Sequence, residues 1–252
     1  PYVSVLNEHK IIIGLSNIHF RFGHISIVQY LSAINNNHLL KDNGIVIPLA
    51  SLASFLIIFF FNNVLNLIKE NEKKISNFFS LFILIFISYK INRYSGFGND
   101  ALAHLLLFYL ISYLLSNKDP DLKFIFLLSV FIFLNKSMLL LVFIFPLVIF
   151  IKNFKYENLK IAYSLPSFLL ILWILKSLLI SGCMIYPLKE SCLKNLAWTD
   201  IEEVKYQSLS GEAWSKSWPD RDDKEISMQE FNKNFNWFNS WKKIHGQKIF
   251  VI

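Results

Sequence analysis

Six apolar segments, at residues 45 to 68, 75 to 91, 101 to 116, 122 to 134, 137 to 151 and 159 to 180, follow one another with only short charged or Gly- or Pro-containing breaks. Greasy stretches at that density leave one economical solution. A helix satisfies its own backbone where water is excluded, so the pattern predicts an all-α, polytopic helical membrane protein. A crossing takes about 20 residues at about 1.5 Å each. The first and last segments reach that length, and the second and third cross with help from snorkelling ends such as Lys90 and Arg93. The fourth and fifth are shorter and meet at Asn135-Lys136, which places Lys136 at the edge of the hydrocarbon or inside a polar cavity. A hydrophobic content of 54% and a mean hydropathy of +0.43 exclude a disordered chain.

Charge orders these segments. Residues 1 to 188 hold 15 basic and 8 acidic side chains, whereas 189 to 252 hold 10 of each, so the net charge of +7 belongs to the apolar part. Cations placed between greasy segments are topology signals and form no continuous stripe, which argues against nucleic acid as a partner. The stretch Ile25–Ile34 is too short to cross and reads as a dipping helix. Residues 69 to 74, 117 to 123 and 152 to 160 then share one side, with eight lysines between them. The excess of lysine makes that side cytoplasmic. The other face collects residues 1 to 23, the loop 94 to 100, Lys136 and everything after Ser181. The domain reading is an external juxtamembrane segment with a dipping helix (1 to 44), a transmembrane core (45 to 182) and an extracytoplasmic subdomain (183 to 252). The chain opens at Pro1 without a start methionine or a readable signal peptide, and stops within the apolar run Ile249–Ile252. It therefore reads as a fragment.

The last part differs in kind. It carries five of the six tryptophans, Trp198, Trp214, Trp218, Trp237 and Trp241, and an apolar row at helical spacing, Phe231, Phe235, Phe238 and Trp241. Such aromatics suit a surface resting on headgroups, or the stacking of a sugar ring.

Four places carry candidate chemistry, all on the outer face. Asp100 begins a helix after a loop with two glycines, and His104 follows at i+4 on the same helix face. The plain reading of Asn99 or Asp100 is a helix cap. The chemical reading is a carboxylate and an imidazole that position an acceptor hydroxyl for proton transfer, with Asp100 also a candidate ligand for a divalent metal ion. Lys136 reads either as a snorkelling helix end or as a point charge for a phosphate. His19, Arg21 and His24 lie in Gly14–His24, where arginine suits a phosphate and the whole segment equally suits headgroup contact. Cys183 and Cys192, with eight residues between them, suit a disulfide in an oxidising compartment, with two free thiols as the alternative.

Several of these pieces, in order, resemble a known superfamily. Gly-Leu-Ser-Asn-Ile-His-Phe-Arg-Phe-Gly at 14 to 23, leading into Tyr30-Leu31-Ser32-Ala33, is similar to a stretch of uncharacterised bacterial polytopic proteins grouped with the GT-C glycosyltransferases. Asn99-Asp100-Ala101 resembles the second-loop aspartate of aminoarabinose-transferase and protein O-mannosyltransferase relatives. Leu134-Asn135-Lys136-Ser137, followed by Phe145-Pro146, resembles their Leu-Thr-Lys-Gly hairpin. Ser181 to Pro187 resembles the entry to the external region of the uncharacterised group. The resemblance implies transfer of a sugar from a polyprenyl-phosphate donor to a cell-envelope glycan or lipid acceptor, at the outer face of a bacterial inner membrane. It implies a metal- or acceptor-binding role for Asp100 and a place near the donor phosphate for Lys136. The superfamily's principal acid precedes the region matched by Pro1, and Glu8 does not take its place. Other expectations from the same charges are a transporter or flippase for lipid-linked glycans, and a polysaccharide polymerase or ligase. The latter is weakened because residues 183 to 252 hold one arginine, Arg221.

Overall fold

The computed structural model describes residues 2–9, 11–70, 72–94, 100–152 and 164–246. The loop 95–99 with Asn99, the stretch 153–163 of the third basic loop and the run Ile249–Ile252 lie outside the described residues. Among the described residues the secondary structure is helical throughout, apart from one isolated bridge between Cys183 and Cys192. The chain is all-α. In order, the α-helices are α1 (Tyr2–Glu8), α2 (Ile27–Asn35), α3 (Ile47–Lys69), α4 (Ile75–Tyr94), α5 (Asp100–Ser116), α6 (Leu122–Asn135), α7 (Ile144–Lys152), α8 (Ser164–Ser181), α9 (Ile201–Ser215), α10 (Met228–Asn232) and α11 (Phe238–Trp241). Two compact units divide the chain: residues 1–12 with 24–176, and residues 13–23 with 177–252. Segment 13–23 thus groups with the C-terminal part of the chain.

In the first unit, α3 to α6 pack as successive neighbours around one apolar core. Phe60, Leu102, Leu110, Ile125 and Ile132 are completely buried there. Each helix starts where its sequence allows. Pro48 occupies the first turn of α3, where a missing N–H costs nothing. Asp121 caps α6 by accepting from the Lys123 amide at 2.9 Å, and Ser26 and Gln29 form a reciprocal capping box on α2. Ala101 and Ala103 are buried in the first turn of α5, where small side chains let neighbouring helices approach. The polar atoms inside are largely satisfied locally: Asn63 Nδ2 donates to Ser80 Oγ at 3.0 Å, and Ser80 Oγ donates to the Ser76 carbonyl at 2.8 Å. Around this core lies a shell of large exposed apolar side chains, among them Phe55, Ile58 and Phe61 on α3, Phe82 and Ile85 on α4, Leu147 and Ile151 on α7, and Phe168 and Ile171 on α8.

By length and composition, α3 with 23 residues and α8 with 18 are apolar enough to cross a membrane. Among the described residues, the other apolar helical stretches, Ile75–Tyr89 within α4, Asp100–Ser116, Leu122–Asn135 and Ser137–Lys152, are shorter. After Lys136 the chain runs through a 3-10 stretch, Ser137–Phe143, before α7, so the fifth segment is broken and not one helix.

The second unit is built on a tight knot. Cys183 and Cys192 are joined by a disulfide, and inside that loop Met184 N donates to the Ser191 carbonyl at 3.0 Å while Tyr186-Pro187 is cis. Cys183 and Tyr186 are buried with Val204 of α9, and Phe20 packs against them. Segment 13–23 is held by directed contacts: Ser16 Oγ donates to the Ile180 carbonyl at 3.0 Å, Asn17 Nδ2 to the Trp198 carbonyl at 2.8 Å, and Gly14 N to the Leu179 carbonyl at 2.9 Å. Two glycines are required. A Cβ on Gly23 would stand 2.4 Å from the Tyr186 ring, and Gly182, at φ +75°, faces Thr199 so closely that a Cβ would overlap its hydroxyl. Because the disulfide closes a short loop, reduction is expected to lower the stability of this unit by about 2–3 kcal/mol. Thermal melts with and without dithiothreitol, compared with C183S/C192S, measure it; equal melting temperatures would remove the staple from the account.

The row Phe231, Phe235, Phe238 and Trp241 does not form the single helical face that its spacing predicts. Asn234 and Phe235 both adopt positive φ, 51° and 60°, which ends α10 and starts a new turn before α11. Phe231 is buried and packs on Trp218, whereas Phe235 is 72% exposed.

Candidate functional site

Asp100 opens α5 and Lys136 directly follows α6, so an antiparallel pair of neighbouring helices brings the start of one beside the end of the other. The extended backbone of Lys136, φ −148°, turns its side chain out of the α6 register. Lys136 Nζ donates to Asp100 Oδ1 at 2.6 Å. The pair is neither sealed nor fully wet, with side-chain exposures of 28% for Lys136 and 36% for Asp100. His104 lies one helical turn beyond Asp100 and is half-buried. Asn135, beside Lys136, is buried; its Nδ2 donates to the Phe131 carbonyl at 2.9 Å while its Oδ1 has no hydrogen-bond partner. Among the described residues, an acceptor left unsatisfied at that depth costs stability, on the order of 1–3 kcal/mol.

The described residues around Asp100 supply no set of ligands that would by itself bring a divalent metal ion there. The carboxylate already accepts from an ammonium at 2.6 Å, and among the described residues no three His, Cys, Asp or Glu side chains stand close enough to hold an ion.

The remaining candidates sit elsewhere in the chain's organisation. His19 and Arg21 belong to the second unit, not to the unit that holds Asp100 and Lys136. His19 Nδ1 accepts from the Arg21 amide at 3.2 Å, its ring stacks on Phe20, and the Arg21 guanidinium lies 5.7 Å from the same phenyl ring. Both side chains are exposed. Trp198 is a packing residue, since its Nε1 donates to the Leu178 carbonyl at 2.9 Å and its Cβ abuts Gly14. Trp218 lies under the Arg221 guanidinium at 3.9 Å, while Trp214 is 62% exposed. Between α9, α10 and the turn Lys189–Ser191 opens a cleft of about 490 Å³ whose lining includes Lys205, Ser208, Gln229 and Asn232.

One residue with the marks of function was passed over in the sequence. Lys176 stands five residues before the end of α8 and is only 8% exposed. Its Nζ donates to the Ile25 carbonyl at 3.2 Å and lies 3.4 Å from the centre of the Trp173 ring. A lysine inside an 18-residue apolar stretch was the available signal.

Residues 1–252 match the family described as Domain of unknown function (DUF8201). No curated protein and no solved structure matches the chain.

Proposed function

We propose that this chain, which belongs to the DUF8201 family, is a multi-pass membrane glycosyltransferase that moves a sugar from a polyprenyl-phosphate donor to a cell-envelope glycan or lipid acceptor. The observation that carries the reading is the ion pair of Lys136 with Asp100, 2.6 Å long and about one-third exposed at one end of the helical bundle. Two further features support it. The shell of exposed apolar side chains on α3, α4, α7 and α8 suits a lipid surround, and the eight lysines of residues 69 to 74, 117 to 123 and 152 to 160 fall on alternate connections, where the positive-inside rule places the cytoplasm. Asp100 and Lys136 then face the outer side of a bacterial inner membrane.

In that setting Asp100 is the base. Its carboxylate accepts the proton of an acceptor hydroxyl as the oxygen attacks the anomeric carbon; the new carbon–oxygen bond forms while the bond to the donor phosphate breaks, and the electron pair leaves with the polyprenyl phosphate. Lys136 keeps the carboxylate in place beforehand and, as Asp100 takes up the proton, turns its charge toward the departing phosphate. His104, one turn along the same helix, orients the acceptor. The test is transfer by the full chain in proteoliposomes, supplied with polyprenyl-phosphate hexoses one at a time and a membrane-extracted acceptor glycan. Labelled product that depends on Asp100 supports the reading; a chain that retains the lipid donor but never yields product sinks it.

A second reading is favoured by the break after Lys136. A 3-10 stretch between two short apolar helices is the kind of discontinuity that carriers use to bind a headgroup without chemistry. Protection of a lipid-linked sugar on one leaflet, lost when the chain is reconstituted, would mark a flippase instead.

A further inference from the structure

The burial of Lys176 is not explained by the protein around it. An ammonium has three donors. One goes to the Ile25 carbonyl at 3.2 Å, on a backbone fixed by the capping box of Ser26 and Gln29. The Trp173 ring, 3.4 Å from Nζ to its centre, covers one side, and the Tyr30 ring lies farther off at 5.9 Å. Among the described residues no carboxylate forms an ion pair with it. Lys136, in contrast, already has its counter-charge in Asp100. Among the described residues the neighbours of Lys176 are the Ile25 carbonyl, the two aromatic rings and the imidazole of His24, none of them an anion, so the buried cation retains an unmet demand for one.

We propose that Lys176 anchors the phosphate group of a ligand that comes from outside the chain, either a lipid-linked phosphate or a free one. Depth selects phosphate over other anions. Lys176 lies five residues from the end of α8, about 7.5 Å along the helix at about 1.5 Å per residue, and it is flanked by a tryptophan and a tyrosine, the side chains that mark the headgroup level of a bilayer. At that level the abundant anion is a phosphate ester. The two unengaged N–H groups of Lys176 meet two of its oxygens, and the Trp173 indole closes the opposite side against water. The inference rests on the membrane reading given above, and divides the work of the two lysines in time: Lys136 holds Asp100 until the proton is taken up and only then turns to the departing phosphate, whereas Lys176 anchors the phosphate from the moment the ligand binds.

The experiment uses the full chain in phosphatidylcholine nanodiscs and three probes: farnesyl phosphate, farnesol and inorganic phosphate. Binding is followed by calorimetry for the wild type, Lys176→Met, which keeps the length of the side chain, and Lys176→Arg. The expected result is tighter binding of farnesyl phosphate to the wild type than to Lys176→Met by at least about tenfold, about the worth of one charge-assisted hydrogen bond, with farnesol indifferent to the substitution. Tight, Lys176-dependent binding of inorganic phosphate assigns the anchor to a free phosphate. Equal binding of farnesyl phosphate by wild type and Lys176→Met overturns the proposal, whereas Lys176→Arg, which keeps the charge, should retain tight binding. Should Lys176→Met fail to fold, Lys176→Gln, which keeps a donor but not the charge, decides: weaker farnesyl phosphate binding with farnesol unchanged supports the anchor, and an unchanged ratio of the two affinities overturns it. A chain that stays dispersed without detergent or lipid refutes the membrane reading separately, whatever Lys176 does.

Discussion

Asp100→Asn is expected to lower sugar transfer by about 10²–10⁴-fold, the usual worth of a positioned general base, while leaving the chain folded. The amide keeps the size of the carboxylate and still accepts a hydrogen bond from Lys136, so the contact between the start of α5 and the end of α6 survives in neutral form. What is lost is the ability to take a proton. Lys136→Met is expected to lower transfer as well, since the carboxylate then loses the partner that orients it. Because the two side chains act as a unit, the double variant should be scarcely worse than the poorer single one. Initial rates of the three variants in proteoliposomes, at saturating donor, measure this. Multiplicative losses would show that Asp100 and Lys136 work independently, and an active Asp100→Asn would remove the base.

Phe60→Ala is expected to destabilise the first unit by about 3–5 kcal/mol, the range for deleting a fully buried aromatic side chain. Phe60 has no exposed surface, and it packs edge-on against Phe59, which in turn meets Tyr109 of α5 at 4.8 Å. Its neighbour Phe61, 53% exposed on the other side of α3, provides the control. Phe61→Ala should cost less than about 1 kcal/mol in detergent, because it opens no cavity. Unfolding by sodium dodecyl sulfate from a mild micelle gives both values. A comparable loss at Phe61 would mean that this face of α3 is packed against protein.

How much of this was legible in the sequence depends on the range of the forces involved. The helices follow from local signals: apolar runs bounded by Asp121, Pro48 or the Ser26 capping box begin and end close to where composition says they should. The first turn of α5 and the end of α6 are both recognisable, and the short segments around Asn135-Lys136 point to a lysine at the edge of the hydrocarbon or in a polar cavity. That Lys136 reaches Asp100 was not, because a contact across 36 positions is decided by how two helices pack, which no local pattern encodes. The helical row from Phe231 to Trp241 failed for the opposite reason. Its spacing was right, but two successive left-handed residues, Asn234 and Phe235, broke a helix that periodicity alone would have continued. Segment 13–23 was read with the N-terminal part because it is adjacent in sequence; its hydrogen bonds to Leu179, Ile180 and Trp198 depend on partners more than 160 positions away. Lys176 was overlooked because one charge barely lowers the hydropathy of α8, although its isolation there was the clue.

The claim on which the rest depends is sidedness: Asp100 and Lys136 at one surface, the lysine-rich connections at the other. It is tested by single cysteines at Lys73, Lys118 and Met138, introduced in turn into the C183S/C192S chain and challenged in intact cells with a membrane-impermeant maleimide. Met138 adjoins Lys136 and is 72% exposed, so its cysteine should be labelled from outside, while those at Lys73 and Lys118 should react only after the membrane is opened. Labelling of all three from the same side would contradict the account.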